Sequence, residues 1–191
     1  PKPSSAASDV YKRQLNKSFI IDRSDKSKRD IYKSLNLASE FIFNTIVNNN
    51  ESIWIAQKQG RSKDGIDYTD PSVLKMIHLN GRKKQPLSNY LNNLNVVPIS
   101  ISYEKDPNDI VKARELYLTD LNAFYKKEEG EDLNNIAEGI KGQKGNVSLN
   151  IGEVIYFEND SYENAAQLIT RKIKDQYLSL IHISEPTRRY A

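Results

Sequence analysis

The sequence predicts an α/β fold with a central, mostly parallel sheet, helices on both faces of that sheet and the amino-terminal part missing. The first reason is that short apolar runs typical of strands alternate along the chain with segments of helical periodicity. The second is that no internal repeat, low-complexity tract or linker divides residues 15–177. These are about 163 residues, which suffice for one domain with its own core.

The two ends of the chain look foreign to this fold. Residues 4–14 and 178–188 resemble translated sequencing-adapter ends, in the orientation expected of a single insert; they read SSAASDVYKRQ and LSLIHISEPTR. Segments of such origin have to be set aside before the fold is considered. We therefore expect residues 1–14 and 178–191 to be adapter-derived tails that are not native. Residues 15–177 are then an interior part of a longer domain.

Charge and composition restrict the functions that residues 15–177 can have. The whole chain carries 28 basic and 25 acidic residues with a pI near 8.9. The excess of positive charge comes from the two ends, and 23 residues of each sign remain without them, so nucleic acid is not expected as a partner. The absence of cysteine excludes disulfides and thiolate chemistry and favours a cytoplasmic location. No apolar run approaches the roughly 20 residues of a membrane span.

The first half of the chain predicts two strands and three helices. Three asparagines end the first helix, and Asp70 followed by Pro71 gives the second helix an N-cap with proline in its first turn. The other segments are assigned by their apolar residues: a spacing near 3.6 residues predicts a helix, and a short continuous run predicts a buried strand. In chain order the predicted elements are strand 19–21, helix 25–47, strand 52–56, helix 72–79 and helix 86–94.

The second half predicts three strands and three helices. Residues 95–103, with the sequence NVVPISISY, carry the strongest strand signal of the chain. Gly152 separates the last two strands, and a helix closes the fold. In chain order the predicted elements are strand 95–103, helix 110–127, helix 131–140, strand 147–151, strand 154–157 and helix 161–176. In such sheets ligands collect at the carboxyl ends of strands.

The loop after the strand at residues 52–56 carries the sharpest chemical signal. Arg61 and Lys63 flank Ser62, and Gly60 and Gly65 bound these three residues. Positive side chains next to a hydroxyl and glycine-exposed amides suit a phosphate group, because hydrogen bonds to an anion are the strong kind. The same composition also occurs in solvated surface turns, so the loop alone leaves both interpretations open.

Three sequence blocks around this loop resemble the glycerolipid acyltransferases. The loop GRSKDG at residues 60–65 resembles their third block. The segment KSFIIDR at residues 17–23 resembles the second, an apolar strand ending in arginine, and VVPISI at residues 96–101 resembles the fourth, a hydrophobic strand around a proline. The order and spacing of the blocks also agree with the family. The resemblance covers residues 16–103, and the remainder of the chain matches only loosely.

The resemblance implies an α/β sandwich that transfers a fatty acyl group in phospholipid synthesis. The donor is acyl-CoA or acyl carrier protein, and the acceptor is 1-acylglycerol 3-phosphate or glycerol 3-phosphate at the inner face of the membrane. No cofactor and no metal are implied. The phosphate-binding residues carried over by matching position are Arg23, Arg61, Lys63, Gly60 and Ser62, and Pro98 helps to form the acyl-donor wall. A guanidinium binds phosphate in a bidentate manner, which ranks Arg61 above Lys63.

Two features depart from the family pattern. Lys58 and Gln59 stand where the family has an acidic residue before the loop glycine, and the catalytic His-x4-Asp block has no counterpart. His78 does not replace it, since Lys83 stands five positions later; it is expected to be a partly buried or surface histidine on a helix. We therefore expect the chain itself to be inactive.

Two alternatives remain open. One is an α/β phosphotransferase or phosphatase that uses the same basic loop and a metal-binding cluster of carboxylates, with Asp22 and Asp64 as candidate ligands. The other is a non-catalytic module that binds anionic lipid. Magnesium-dependent activity favours the first alternative, and vesicle binding without acyl transfer favours the second.

Overall fold

Helices dominate the part of the chain that the computed structural model describes, which comprises residues 27–58, 67–121 and 130–177. This part is 54% helix and contains only a two-stranded antiparallel sheet. The predicted fold class, a central and mostly parallel sheet with helices on both faces, is therefore wrong. The two terminal segments predicted to be adapter-derived and the predicted strand at residues 19–21 lie outside the described residues.

The described elements follow one another as six α-helices and two strands, with one turn of π-helix after the first helix. All six helices begin within three residues of their predicted start. Residues 122–129, at the end of the predicted helix 110–127, lie outside the described residues. In chain order the elements are α1 (Lys28–Phe43), the π-helical turn (Asn44–Asn48), α2 (Pro71–Ile77), α3 (Leu87–Asn93), β1 (Ile99–Tyr103), α4 (Asp109–Asp120), α5 (Glu131–Lys141), β2 (Val147–Ile151) and α6 (Tyr162–Gln176).

The two strands show why the parallel arrangement was predicted wrongly. β1 and β2 are antiparallel, with Ile101 opposite Leu149, and two helices lie between them in the sequence. β1 alternates isoleucine or tyrosine with serine, which is the pattern of a half-exposed antiparallel strand rather than of a strand buried on both faces. Ser100 and Ser102 are the buried residues of β1. Alternation of helices and strands along the chain therefore did not define the direction in which the second strand returns.

Two further predicted strands are absent from the described structure. Residues 52–56 form no strand, and the Trp54 side chain is 68% exposed rather than buried. Residues 154–157 form no strand either; their one hydrogen bond to another backbone group runs from the Ile155 N–H to the Val96 carbonyl at 2.8 Å. A strand needs a continuous ladder of hydrogen bonds to a neighbour, and an apolar run does not supply the neighbour.

Packing divides the chain into two compact units, of which the first contains α1, α2 and α3. Asp70 caps α2 as predicted, accepting the Ser72 N–H at 2.8 Å, with Pro71 in the first turn. The Tyr90 ring lies in the core of this unit, 5.1 Å from the Phe43 ring centroid. The largest apolar side chains buried in this unit are Ile42, Leu74, Ile77, Leu87, Tyr90, Leu91, Leu94 and Phe157.

The second unit contains the sheet, α4, α5 and almost all of α6. Its polar sheet face is tied to the end of α6, because Ser100 Oγ and Asn150 Nδ2 both donate to the carbonyl of Gln176, at 3.1 and 3.0 Å. The buried apolar residues of this unit include Ile155 and Ile169. The apolar side chains of both strands lie on the opposite face, where most of them are exposed.

Candidate functional site at the base of the basic loop

The predicted phosphate-binding residues lie outside the described residues; they are Arg23, Gly60, Arg61, Ser62 and Lys63. Their assignment stays a prediction. The structure does describe the residues on both sides of the basic loop, up to Lys58 and again from Asp67. These flanking residues are the two ends to which residues 59–66 are connected.

Side-chain contacts join the two sides of the loop base. Lys58 Nζ lies 3.4 Å from Asp67 Oδ1, and Thr69 Oγ1 donates to Gln57 Oε1 at 2.7 Å. The same ammonium group lies 5.8 Å from the ring centroid of Tyr68, within the range of a cation–π contact. The ends of an eight-residue segment are thus held next to each other, in an arrangement that we call the loop base: Gln57, Lys58, Asp67, Tyr68 and Thr69.

Thr69 anchors the loop base to α6. Its N–H donates to Thr170 Oγ1 at 2.9 Å, and the residue is buried. The hydrogen bonds of Thr69 contribute about 1 kcal/mol each, whereas the half-exposed pair of Lys58 and Asp67 contributes about 0–1 kcal/mol. Thr69 is therefore the principal anchor, and the ion pair mainly sets where the chain enters and leaves.

The sequence alone did not identify the loop base as functional. Lys58 entered only as a departure from the family pattern, and Asp67 and Tyr68 carried no signal in their own right. The available signal was the placement of opposite charges, Lys58 and Asp67, at equal distances from the centre of the glycine-bounded segment. Their pairing across the loop becomes apparent only in three dimensions.

Pro98, the predicted part of the acyl-donor wall, lies immediately before β1 and is buried. Its carbonyl accepts the Gly152 N–H at 2.9 Å. A Cβ atom at Gly152 would lie 1.8 Å from Gln176 Nε2 and 2.9 Å from Pro98 Cγ, so only glycine allows these residues to approach so closely. The proline is thus part of a tightly packed site, and its contact with an acyl donor stays a prediction.

His78 lies in the first unit, where it is buried and its ring nitrogens have partners. It follows the last residue of α2 and is 4% exposed, with its ring centroid 4.8 Å from that of Tyr90. Nε2 lies 3.1 Å from the Gln85 carbonyl, which can only accept, so Nε2 carries the proton. Nδ1 then accepts from Tyr162 Oη at 2.9 Å. The histidine is therefore more deeply buried than expected and follows α2 instead of lying within it, and both of its ring nitrogens form hydrogen bonds inside the unit.

Electrostatics in the same unit favour the neutral imidazole. Burial lowers the pKa of His78, and the nearby Arg82 guanidinium lowers it further; the hydrogen bond to Gln85 and the Asp160 carboxylate act in the opposite direction. Asp160 accepts the N–H and Oγ–H of Ser88 at 2.9 and 2.8 Å, and these hydrogen bonds lower its pKa. Ser88 therefore donates to a helix-capping carboxylate instead of to a histidine, so these residues do not form a nucleophile–base pair.

Comparison with known proteins gave no match to a family model, a curated protein or a solved structure. Within the described ranges, no three histidine, aspartate or glutamate side chains converge where they could hold a metal ion. None of the described helices combines the length and the apolar character needed to cross a membrane. The functional argument therefore depends on the basic loop, on its anchored base and on the three sequence blocks.

Proposed function

We propose that this chain carries the acceptor-phosphate site of a glycerolipid acyltransferase. In this proposal residues 60–63, together with Arg23, bind the phosphate of glycerol 3-phosphate or 1-acylglycerol 3-phosphate at the inner face of the membrane. The acyl group comes from acyl-CoA or acyl carrier protein, and Pro98 helps to form the wall for that donor. The three ordered sequence blocks support the reaction class, and the loop base supports the site.

The single observation that carries the site is the closure of the loop base. A loop whose ends are pinned loses less conformational entropy when it folds around an anion than a loop with free ends, because part of the ordering has already taken place. The Thr69–Gln57 hydrogen bond and the Lys58–Asp67 ion pair supply this restraint. Lys58 is engaged at the base itself, which leaves Arg61 and Lys63 as the cations assigned to the ligand.

Residue roles in the proposal follow from side-chain chemistry. Arg61 presents a planar fork of donors that suits two phosphate oxygens, and Lys63 adds a point charge. Gly60 and Ser62 contribute amide and hydroxyl donors. Removing a charge-assisted hydrogen bond costs about 1.5–3 kcal/mol, which corresponds to a loss of affinity of about tenfold to more than a hundredfold.

The test measures binding of glycerol 3-phosphate to the full chain by isothermal titration calorimetry. We expect Arg61→Ala to weaken binding by about tenfold or more, and Arg82→Ala, which removes the same charge from another exposed position, to leave it unchanged. Thr69→Val keeps the side-chain volume and every loop charge but removes the hydrogen bond to Gln57, so it should also weaken binding. Equal affinities of the wild-type and Arg61→Ala chains would refute the site assignment.

A second set of measurements separates the proposal from its two rivals. We expect no acyl transfer from acyl-CoA to lysophosphatidate by this chain, since no residue pattern in it matches the catalytic His-x4-Asp block and His78 is buried. Magnesium-dependent release of phosphate would favour a phosphotransferase or phosphatase instead. Binding to anionic vesicles that soluble glycerol 3-phosphate does not compete away would favour a lipid-binding module.

A further inference from the structure

The outer edge of β2 presents backbone groups that point away from β1. The Gly152 N–H donates to the Pro98 carbonyl, and the Glu104 N–H donates to the Asn146 carbonyl. The hydrogen-bonded pairs of the ladder therefore lie at the even-numbered residues of β2. The N–H and C=O groups of Val147, Leu149 and Ile151 therefore point to the other side. Among the described residues, none forms a backbone hydrogen bond with them.

The side chains on this edge are apolar and exposed. Val147, Leu149 and Ile151 expose 53%, 54% and 67% of their surface. Their cross-strand partners on β1 lie on the same face, so the ribbon has one apolar face. A two-stranded ribbon with an open, apolar edge readily accepts a further strand, because such an edge offers both hydrogen bonds and apolar contacts.

The sequence of β2 is complementary to itself when it is reversed. In an antiparallel pair centred on Leu149, Val147 lies opposite Ile151 of the second copy and Ser148 lies opposite Asn150. Apolar residues thus meet apolar residues, and polar residues meet polar residues. The outward-pointing backbone groups of Leu149 are those that a two-fold pair at this position requires, so register and hydrogen bonding agree.

Charges at the two ends of β2 complete the symmetry. Lys144 precedes the strand and Glu153 follows it. In the same register, Lys144 lies opposite Val154 of the second copy and one position from Glu153, so opposite charges lie near each other at both ends of the pair. The Lys144 ammonium also donates to the carbonyl of Gly142 at 3.1 Å, which holds it near the start of the strand.

We propose that two copies of this chain associate through the outer edges of their β2 strands, antiparallel about a two-fold axis at Leu149, to form a four-stranded sheet. This interface is independent of the proposed phosphate site. It adds cross-strand pairs between Leu149 and its symmetry mate and between Val147 and Ile151, together with hydrogen bonds from the outward backbone groups.

The chain contains no cysteine, which allows a direct test by site-specific cross-linking. Leu149→Cys places two thiols at a hydrogen-bonded pair with Cα atoms about 5.5 Å apart, within the range of a disulfide. Val154→Cys is the control, since Val154 is 55% exposed but its two copies would lie on the order of 30 Å apart in the same register. We expect about tenfold more oxidised dimer from Leu149→Cys, and equal yields from the two variants would overturn the proposal.

Light scattering of the full chain supplies a second measurement without cysteine. We expect the wild-type mass to be twice that of one chain, and Leu149→Lys to halve it because two like charges would then lie directly opposite each other. Leu133→Lys replaces a leucine of α5 that is 73% exposed and should retain the doubled mass. A wild-type chain with the mass of one copy, or a Leu149→Lys chain that keeps the doubled mass while its circular dichroism is unchanged, would overturn the proposal.

Discussion

Ser39 provides the sharpest test of how the first unit is held together. Its side chain is fully buried in α1, where Oγ donates to the Ile77 carbonyl at 2.5 Å and accepts the Asn80 N–H at 2.9 Å. Ile77 is the last residue of α2, so one hydroxyl joins α1 to the end of α2 and to the turn that follows it. Ser39→Ala removes both hydrogen bonds and leaves the carbonyl and the N–H without this partner.

The expected cost follows from these two hydrogen bonds. At about 1 kcal/mol each they contribute about 2 kcal/mol, and a carbonyl left unpaired in the interior adds to the loss. The higher helix propensity of alanine offsets about 0.5 kcal/mol. We therefore expect Ser39→Ala to lower the free energy of unfolding by about 2 kcal/mol, which corresponds to a fall in Tm of about 4–8 °C for a chain of this size.

The assay is urea denaturation of the full chain followed by far-ultraviolet circular dichroism. Ser34→Ala is the matched control, because Ser34 lies in the same helix, is only half-buried and should gain slightly from the propensity of alanine. The two variants should therefore differ by more than 2 kcal/mol, with Ser39→Ala the less stable. Equal unfolding midpoints would refute the assignment of Ser39 as the link between α1 and α2.

Two further predictions concern the same core. Because burial lowers the pKa of His78, the unfolded chain binds the proton at a higher pH than the folded chain does. The contribution of His78 to the free energy of unfolding should therefore be at its maximum above pH 6.5 and fall as the pH drops below it. His78→Gln should reduce this dependence, measured by urea denaturation between about pH 7.5 and about pH 5.5, and an unchanged dependence would refute the role of His78. Gly81→Ala should cost about 1–3 kcal/mol, since its Cβ would lie 2.2 Å from the Tyr90 ring. A Gly81→Ala chain as stable as the wild type would show that the ring can move aside.

Helix positions were largely predictable from the sequence because the signals that start and stop a helix are local. Asp70 and Pro71 predict the start of α2, and the structure places the cap there. α1 was also predicted, although the π-helical turn that extends it was not. Such a turn depends on one additional residue in the helical repeat, and the sequence periodicity does not define where that residue is accommodated.

Pairings between distant segments were not predictable, and the wrong fold class follows from this. β2 returns to β1 in the opposite direction after two helices, which the order of the elements did not indicate. The His78–Tyr162 hydrogen bond joins residues 84 positions apart. Neither residue type reveals such a partner, because a histidine between Ile77 and Leu79 fits a buried or an exposed helix end equally well. The predicted phosphate-binding residues lie outside the described residues, so their spatial arrangement stays a prediction.

Because the loop base is closed by its own contacts, the length of the basic loop can change without changing the structure that supports it. The contacts of the loop base involve no residue of the loop itself, and doubling the length of a flexible loop costs only about 0.6 kcal/mol of closure entropy. Insertions and exchanged sequences between these two positions should therefore be tolerated during evolution. For protein engineering, the same property makes the loop base an attachment point at which a binding segment of different length and specificity can be grafted without redesigning the scaffold.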